Sequence, residues 1–329
     1  MKNQLGFLAL LICVSLWTCT LLAQESPEAV CQDLVSRIEN PATRKAAMLE
    51  VKSQKEKLLG WAAKEKDSIL VQYAAGTSCI LNDAPKNAIQ YMARAFELSG
   101  QHPSVATHYA LALKMSLQPL KAVEVLEQTV ESNPEIPQMK IVLGVHYLGV
   151  QKYKRARSVL QDFVKPLTPS VPERMRKDMA VVRMQYGIAL LYLGEHKAAI
   201  KTLEEANALW PNAAGILLPL GEAYLKNGEK EKAKVSLEAA LKINEKVPGT
   251  LYWLGVANEK DNPDQAIQYF EKAWEFGVPR NANAELGGDL FLMHQIALKL
   301  GNQEKADEYK KNAKALGFTF EAPWADKQL

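Results

Sequence analysis

The stretch LPLGEAYLKNGEKEKAKVSLEAALKI, residues 218–243, decides how the rest of the chain is read. Its composition is that of a helix former, yet Gly221 follows Leu220 inside an apolar run and small residues return at Ala233 and Ala240. Glycine in a helix interior costs roughly 1 kcal/mol relative to alanine, so its presence implies a backbone that must be approached closely. Thirty-four residues upstream the same order appears as Tyr186, Gly187, Leu190, Ala199, Leu203, Ala206 and Pro211. Thirty-four residues downstream it appears as Leu254 and Gly255, then Ala266, Phe270 and Ala273 after a loop one residue shorter. Earlier copies carry Gly144, Tyr147, Ala156 and Leu160; Ala110, Ala122, Leu126 and Pro134; and Gly76, Ala88, Met92 and Ala95. A weaker last copy has Leu290, Met293, Ala297, Ala306 and Ala313.

A fixed period of this length marks a repeat architecture in which each unit buries its apolar face only against its neighbours. The pattern resembles the tetratricopeptide repeat, a helix–turn–helix unit. The resemblance implies an all-α, right-handed α-solenoid of about seven such units, near 69–102, 103–136, 137–170, 180–213, 214–247, 248–280 and 287–320. In such a unit the eighth position of the first helix is expected to meet the twentieth position in the second, so Gly221 faces Ala233, with Leu220, Tyr224 and Leu237 filling the space around them. Proline cannot continue a helical hydrogen-bond ladder, so Pro134 and Pro211 are expected to close second helices and Pro219 to kink or delay the first helix of the fifth unit.

Outside the repeat, residues 24–68 read as a helical cap in two or three pieces broken near Asn40–Pro41. Residues 171–179 are an insertion that either extends a helix or forms a hinge, and we expect a local irregularity in one continuous solenoid. The 321–329 tail, with Trp324, is expected to fold back over the last helix.

Residues 1–23 differ from the rest. Lys2, the apolar run LGFLALLICVSLW and Ala23 follow the layout of a secretory signal peptide, with cleavage before Gln24. The alternative is an uncleaved anchor, although the run is short for a membrane span. We therefore expect an exported protein, periplasmic or secreted, with no membrane span in the mature chain. Removing Lys2 takes the basic count from 40 to 39 against 37 acidic residues. That near-balance excludes an argument for nucleic acid or an anionic membrane surface. Cleavage also removes Cys13 and Cys19, leaving Cys31 and Cys79, which an oxidising compartment allows to pair. The alternative is two separate buried thiols.

No catalytic, cofactor or metal constellation is legible. The five histidines lack His-Glu-x-x-His spacing, and there is no Cys-x-x-Cys, phosphate loop or G-x-S-x-G elbow. Gly287–Gly288 reads as the entry to the last unit. We expect no enzyme and no cofactor.

The resemblance implies a concave groove lined by first helices, chiefly through positions two, five, nine, twelve and thirteen. Position five here supplies Tyr73, Ile141, Met184, Leu218, Tyr252 and Phe291. Position nine supplies Leu111, Val145, Ile188, Glu222, Val256 and Gln295. Some relatives use Lys and Asn on these positions to clamp a chaperone's terminal carboxylate, and that set is missing here. The groove reads instead as an apolar site for a protein or peptide partner. The same side chains equally suit packing between neighbouring first helices. A structural homo-oligomer is the alternative function, and an enzyme the third.

Overall fold

Six of the first helices in the repeat end in the same way, and that ending sets the geometry of their pairs. Cys79, Leu113, Tyr147, Leu190, Tyr224 and Ala297 each accept a hydrogen bond at the backbone carbonyl from the N–H five residues on, at 2.8–3.0 Å. The residue just before that N–H is left-handed in each case: Asp83, Leu117, Gln151, Gly194, Gly228 and Gly301, with φ between 52° and 83°. This is a Schellman cap, which satisfies the last carbonyls of a helix and reverses the chain. The sixth unit, whose loop is one residue shorter, has no left-handed residue at this point.

The computed structural model describes residues 26–164, 172–281 and 287–315. Among them the protein is an all-α solenoid: helix–turn–helix pairs preceded by three helices, with no strand. The chain divides into two compact units, residues 1–112 and 113–329.

In the first unit, α1 (Pro27–Glu39), α2 (Arg44–Ser53) and α3 (Lys55–Lys64) precede the pair α4 (Ile69–Leu81) and α5 (Pro85–Leu98), and α6 (Pro103–Met115) follows, its residues from 113 on belonging to the second. Ser26 caps α1 by accepting from the Ala29 N–H at 3.2 Å. The core is a cluster of fully buried Leu34, Val51, Leu58 and Val71 with Cys31 among them. Ser78 Oγ of α4 donates to the Val51 carbonyl at 2.9 Å, tying the repeat to α2.

The second unit holds α7 (Pro119–Ser132), α8 (Gln138–Gly149), α9 (Tyr153–Leu160), α10 (Glu173–Tyr192), α11 (His196–Leu209), α12 (Ala214–Lys226), α13 (Lys230–Ile243), α14 (Pro248–Asn258), α15 (Pro263–Asn281), α16 (Gly287–Lys299) and α17 (Gln303–Ala315). Units are latched by a recurring pair. Tyr147 and Tyr224, both at position eleven, donate to Glu127 and Glu204 of the preceding unit at 2.6 Å.

Several expectations are revised. A Cβ on Gly221 would lie 2.5 Å from Leu237 Cγ, so position eight packs against position twenty-four and not against the alanine at twenty. Gly144 meets Leu160, Gly187 meets Leu203 and Gly255 meets Phe270 in the same way. The physical reason is side-chain reach: a large residue lies across the bare glycine backbone, while the small one admits the neighbouring turn. Pro219 does not delay its helix, which begins at Ala214, five residues earlier, and runs on to Lys226. The insertion 171–179 is no hinge over its described part: residues 173–179 form the first turns of α10. Cys31 and Cys79 are free, buried thiols and not a bridge. Glu28, one turn before Cys31, accepts from Ser68 at the start of α4, whereas Cys79 stands ten residues along that helix, roughly 15 Å away at the α-helical rise. The segment 1–23 and the tail 321–329 lie outside the described residues.

Candidate functional site

Four first helices of the second unit, α10, α12, α14 and α16, enclose a cavity of about 330 Å³. Its walls bring together Leu218, Glu222, Tyr252, Phe291 and Gln295, all from the expected groove series. Tyr192, Lys226, Gly249, Trp253 and Leu292 complete it. Two of these, Tyr192 and Lys226, stand at position thirteen of their units and Gly249 at position two, so family register alone reaches them. Trp253 and Leu292 stand at position six, off the groove positions, and only the packing reveals them.

Helical spacing builds the polar end of the cavity. Leu218, Glu222 and Lys226 are four apart on α12 and so share one face. Glu222 is buried, at 5% exposure. Its Oε2 accepts from the Tyr192 hydroxyl at 3.3 Å. Tyr192 is held by stacking on Tyr153, with ring centroids 4.9 Å apart and planes at 19°. Lys226 Nζ stands 3.7 Å from Glu222 Oε1, within ion-pair range and beyond a hydrogen bond, and 5.2 Å from the centroid of the Trp253 ring. Glu222 Oε1 has no hydrogen-bond partner among the described residues. Burial pushes the Glu222 carboxyl up to about 7, with the Lys226 ammonium pulling the other way. Burial likewise lowers the Lys226 ammonium from its ordinary value, with Glu222 opposing.

The rest of the series lies elsewhere. Ile141, Val145, Met184, Ile188 and Val256 are half-buried on first helices of the second unit. Met184 packs on the cluster of Ala180, Ala206 and Ile216, and Val256 on the cluster around Leu251 and Phe270. In the first unit Leu111 is exposed, and buried Tyr73 bonds through its hydroxyl to His108 Nδ1 at 2.9 Å. Among the described residues there is no group of three or more His, Cys, Asp or Glu placed to hold a metal. No described helix is long and apolar enough to cross a membrane.

Stacked helix pairs with first helices enclosing an apolar, aromatic-rich cavity define a helical repeat protein. Residues 190–253 and 250–275 match models of the tetratricopeptide repeat, so this part of the chain is built of such repeats. The BBSome complex member BBS4 of Bos taurus is 35% identical over 129 residues, covering 39% of this chain and 24% of that protein. The chain therefore spans well under half the length of that relative. Among solved structures, a tetratricopeptide repeat protein from Parabacteroides merdae superposes with a TM-score of 0.58 at 16% identity, over 77% of this chain and 97% of that one. The quorum sensor NprR from B. thuringiensis, in its apo form, superposes with a TM-score of 0.59 at 14% identity, over 95% of each chain. At these identities the likeness is one of fold.

Proposed function

We propose that this protein is an exported scaffold that binds a protein or peptide partner through the groove of its first helices, in envelope or secretion-related assembly. The observation that carries the binding role is the cavity of about 330 Å³ walled by four successive first helices, with Glu222 at its polar end. Concave, largely apolar sites with a few polar groups are where ligands bind. The repeat class supports a protein or peptide as ligand, because such folds act as non-enzymatic scaffolds far more often than as catalysts. The basic–apolar–small order of residues 1–23 supports export.

Cross-linking in the native host followed by mass spectrometry tests the binding role. A partner cross-linked to residues of α10, α12, α14 or α16 is expected. Cross-links confined to second helices would overturn the groove. N-terminal sequencing of protein isolated from the host tests export: a start at Gln24, within a few residues, is expected, and an intact Met1 on protein found in the cytosol would end the idea.

A further inference from the structure

Once Glu222 is ionised, the polar end of the cavity holds an anion and a cation whose charges cancel, yet one oxygen is left without a hydrogen bond. Glu222 Oε1 is buried with no partner within hydrogen-bond distance, and the Lys226 ammonium, 3.7 Å away, compensates its charge. A buried acceptor left unmade forfeits the full strength of a hydrogen bond to a charged group. A ligand that supplies one donor at this point therefore gains more than its contact area alone gives.

The charge arithmetic decides which donor. An incoming ammonium or guanidinium would satisfy Oε1 but would sit beside Lys226 in a poorly solvated space, where like charges repel far more than in water. An incoming carboxylate meets Glu222 for the same reason. A neutral donor faces neither penalty. The walls decide the rest of the ligand: Tyr192, Tyr252, Trp253 and Phe291 present aromatic surface, and aromatic rings pack on one another with a preference beyond their area. Gly249 opposite, with no side chain, lets Leu218 lie close over its backbone: a Cβ there would stand 3.3 Å from Leu218 Cδ2.

Resting on the groove reading above, we propose that the cavity binds an uncharged aromatic side chain of the partner that carries one ring donor, a tryptophan or a tyrosine, with its N–H or O–H on Glu222 Oε1. Tyr192 is a positioning residue: stacked on Tyr153, it donates to Oε2 and so engages one carboxylate oxygen and not the other. Lys226 screens the carboxylate and selects against a second cation.

Titration calorimetry on the purified protein tests this with N-acetyltryptophanamide and N-acetyltyrosinamide, each beside its ring-methylated form that lacks the donor. N-acetyllysinamide and N-acetylargininamide serve as cationic probes. The expected result is saturable one-to-one binding of at least one aromatic amide, weakened roughly tenfold or more by ring methylation. Glu222→Gln should weaken the parent probe and leave its methylated form unchanged, so that the two losses are not additive. Equal binding of parent and methylated probes overturns the proposal, as does tighter binding of a cationic probe or no saturable binding. The methylation comparison on the unaltered protein stands even where Glu222→Gln fails the circular dichroism check of its fold. Failure here with cross-links still mapping to the first helices removes the side-chain assignment alone, whereas cross-links elsewhere remove the groove.

Discussion

At Gly221 two opposing terms can be weighed. Alanine would improve helix propensity by about 1 kcal/mol, but its methyl group would stand 2.5 Å from Leu237 Cγ in a fully buried contact. Overpacking a core costs about 1–3 kcal/mol, so Gly221→Ala should destabilise by about 1 kcal/mol net in urea unfolding. Gly60, which has nothing within 4 Å of a Cβ, should gain from the same change. The glycine spacing was legible in the sequence; its partner was not, because period alone cannot tell a small residue that admits a backbone from a large one that covers it. Glu222 gives a second prediction at this scale. The unfolded chain releases this proton near the ordinary glutamate value, and the folded protein, where burial dominates, near 7. Between those values the folded state holds more protons, so stability falls as pH rises from about 5 to about 7. Facing groups are Lys226, Tyr192 and Trp253, which all oppose the shift, and the neutral Tyr252 and Gln295. Glu222→Gln should flatten this slope in denaturant melts taken across that range, whatever its effect on stability at a single pH.

Among the elements, the turns within pairs show a shared demand met unequally. Gly194 and Gly228 sit at the left-handed point of the cap without penalty, whereas Leu117 holds φ at 61° there. A left-handed backbone costs a residue with a Cβ about 1–2 kcal/mol, and Leu117 is 38% exposed, so little packing offsets it. Leu117→Gly should therefore stabilise by roughly 1 kcal/mol despite the added freedom of the unfolded chain, and Gly194→Ala should destabilise by a similar amount. Thermal unfolding of the two variants checks both signs, and a loss in Leu117→Gly would show that the leucine side chain matters more than its backbone. Glycine, the usual sign of such a helix end, stands at three of these turns, whereas Asp83, Leu117 and Gln151 carry no such sign in the earlier units. The latch of Tyr224 on Glu204 was invisible for a different reason. It joins residues twenty positions apart in adjacent units, and only stacking brings them to 2.6 Å. The pairing of Cys31 with Cys79 failed for the same kind of reason: both residues are buried, but they sit toward opposite ends of α4.

For the whole molecule, stability in a repeat array is close to a sum of unit terms and nearest-neighbour interfaces. A change on the groove face is therefore felt locally, which gives a way to separate binding from packing. The groove register was legible because first-helix positions recur with the period, and five of its residues meet in one cavity; Trp253 and Leu292 were not, since position six enters only when neighbouring helices are packed. Ile188 and Val256 are half-buried, on α10 and α14, so each keeps part of its surface open while touching its neighbours. Lysine at either position can carry its charge to solvent on a long apolar stem, at a modest cost to the single interface concerned. On the groove reading, Ile188→Lys and Val256→Lys together should abolish cross-linking to the native partner while leaving the helical circular dichroism and cooperative unfolding in place. A matched pair on exposed second-helix positions, Val235→Lys and Ile267→Lys, should leave capture intact, because these side chains are 68% and 48% exposed away from the cavity lining. Unfolding of the first pair would assign Ile188 and Val256 to inter-helix packing. Normal capture by a folded first pair would move the binding surface off the first helices.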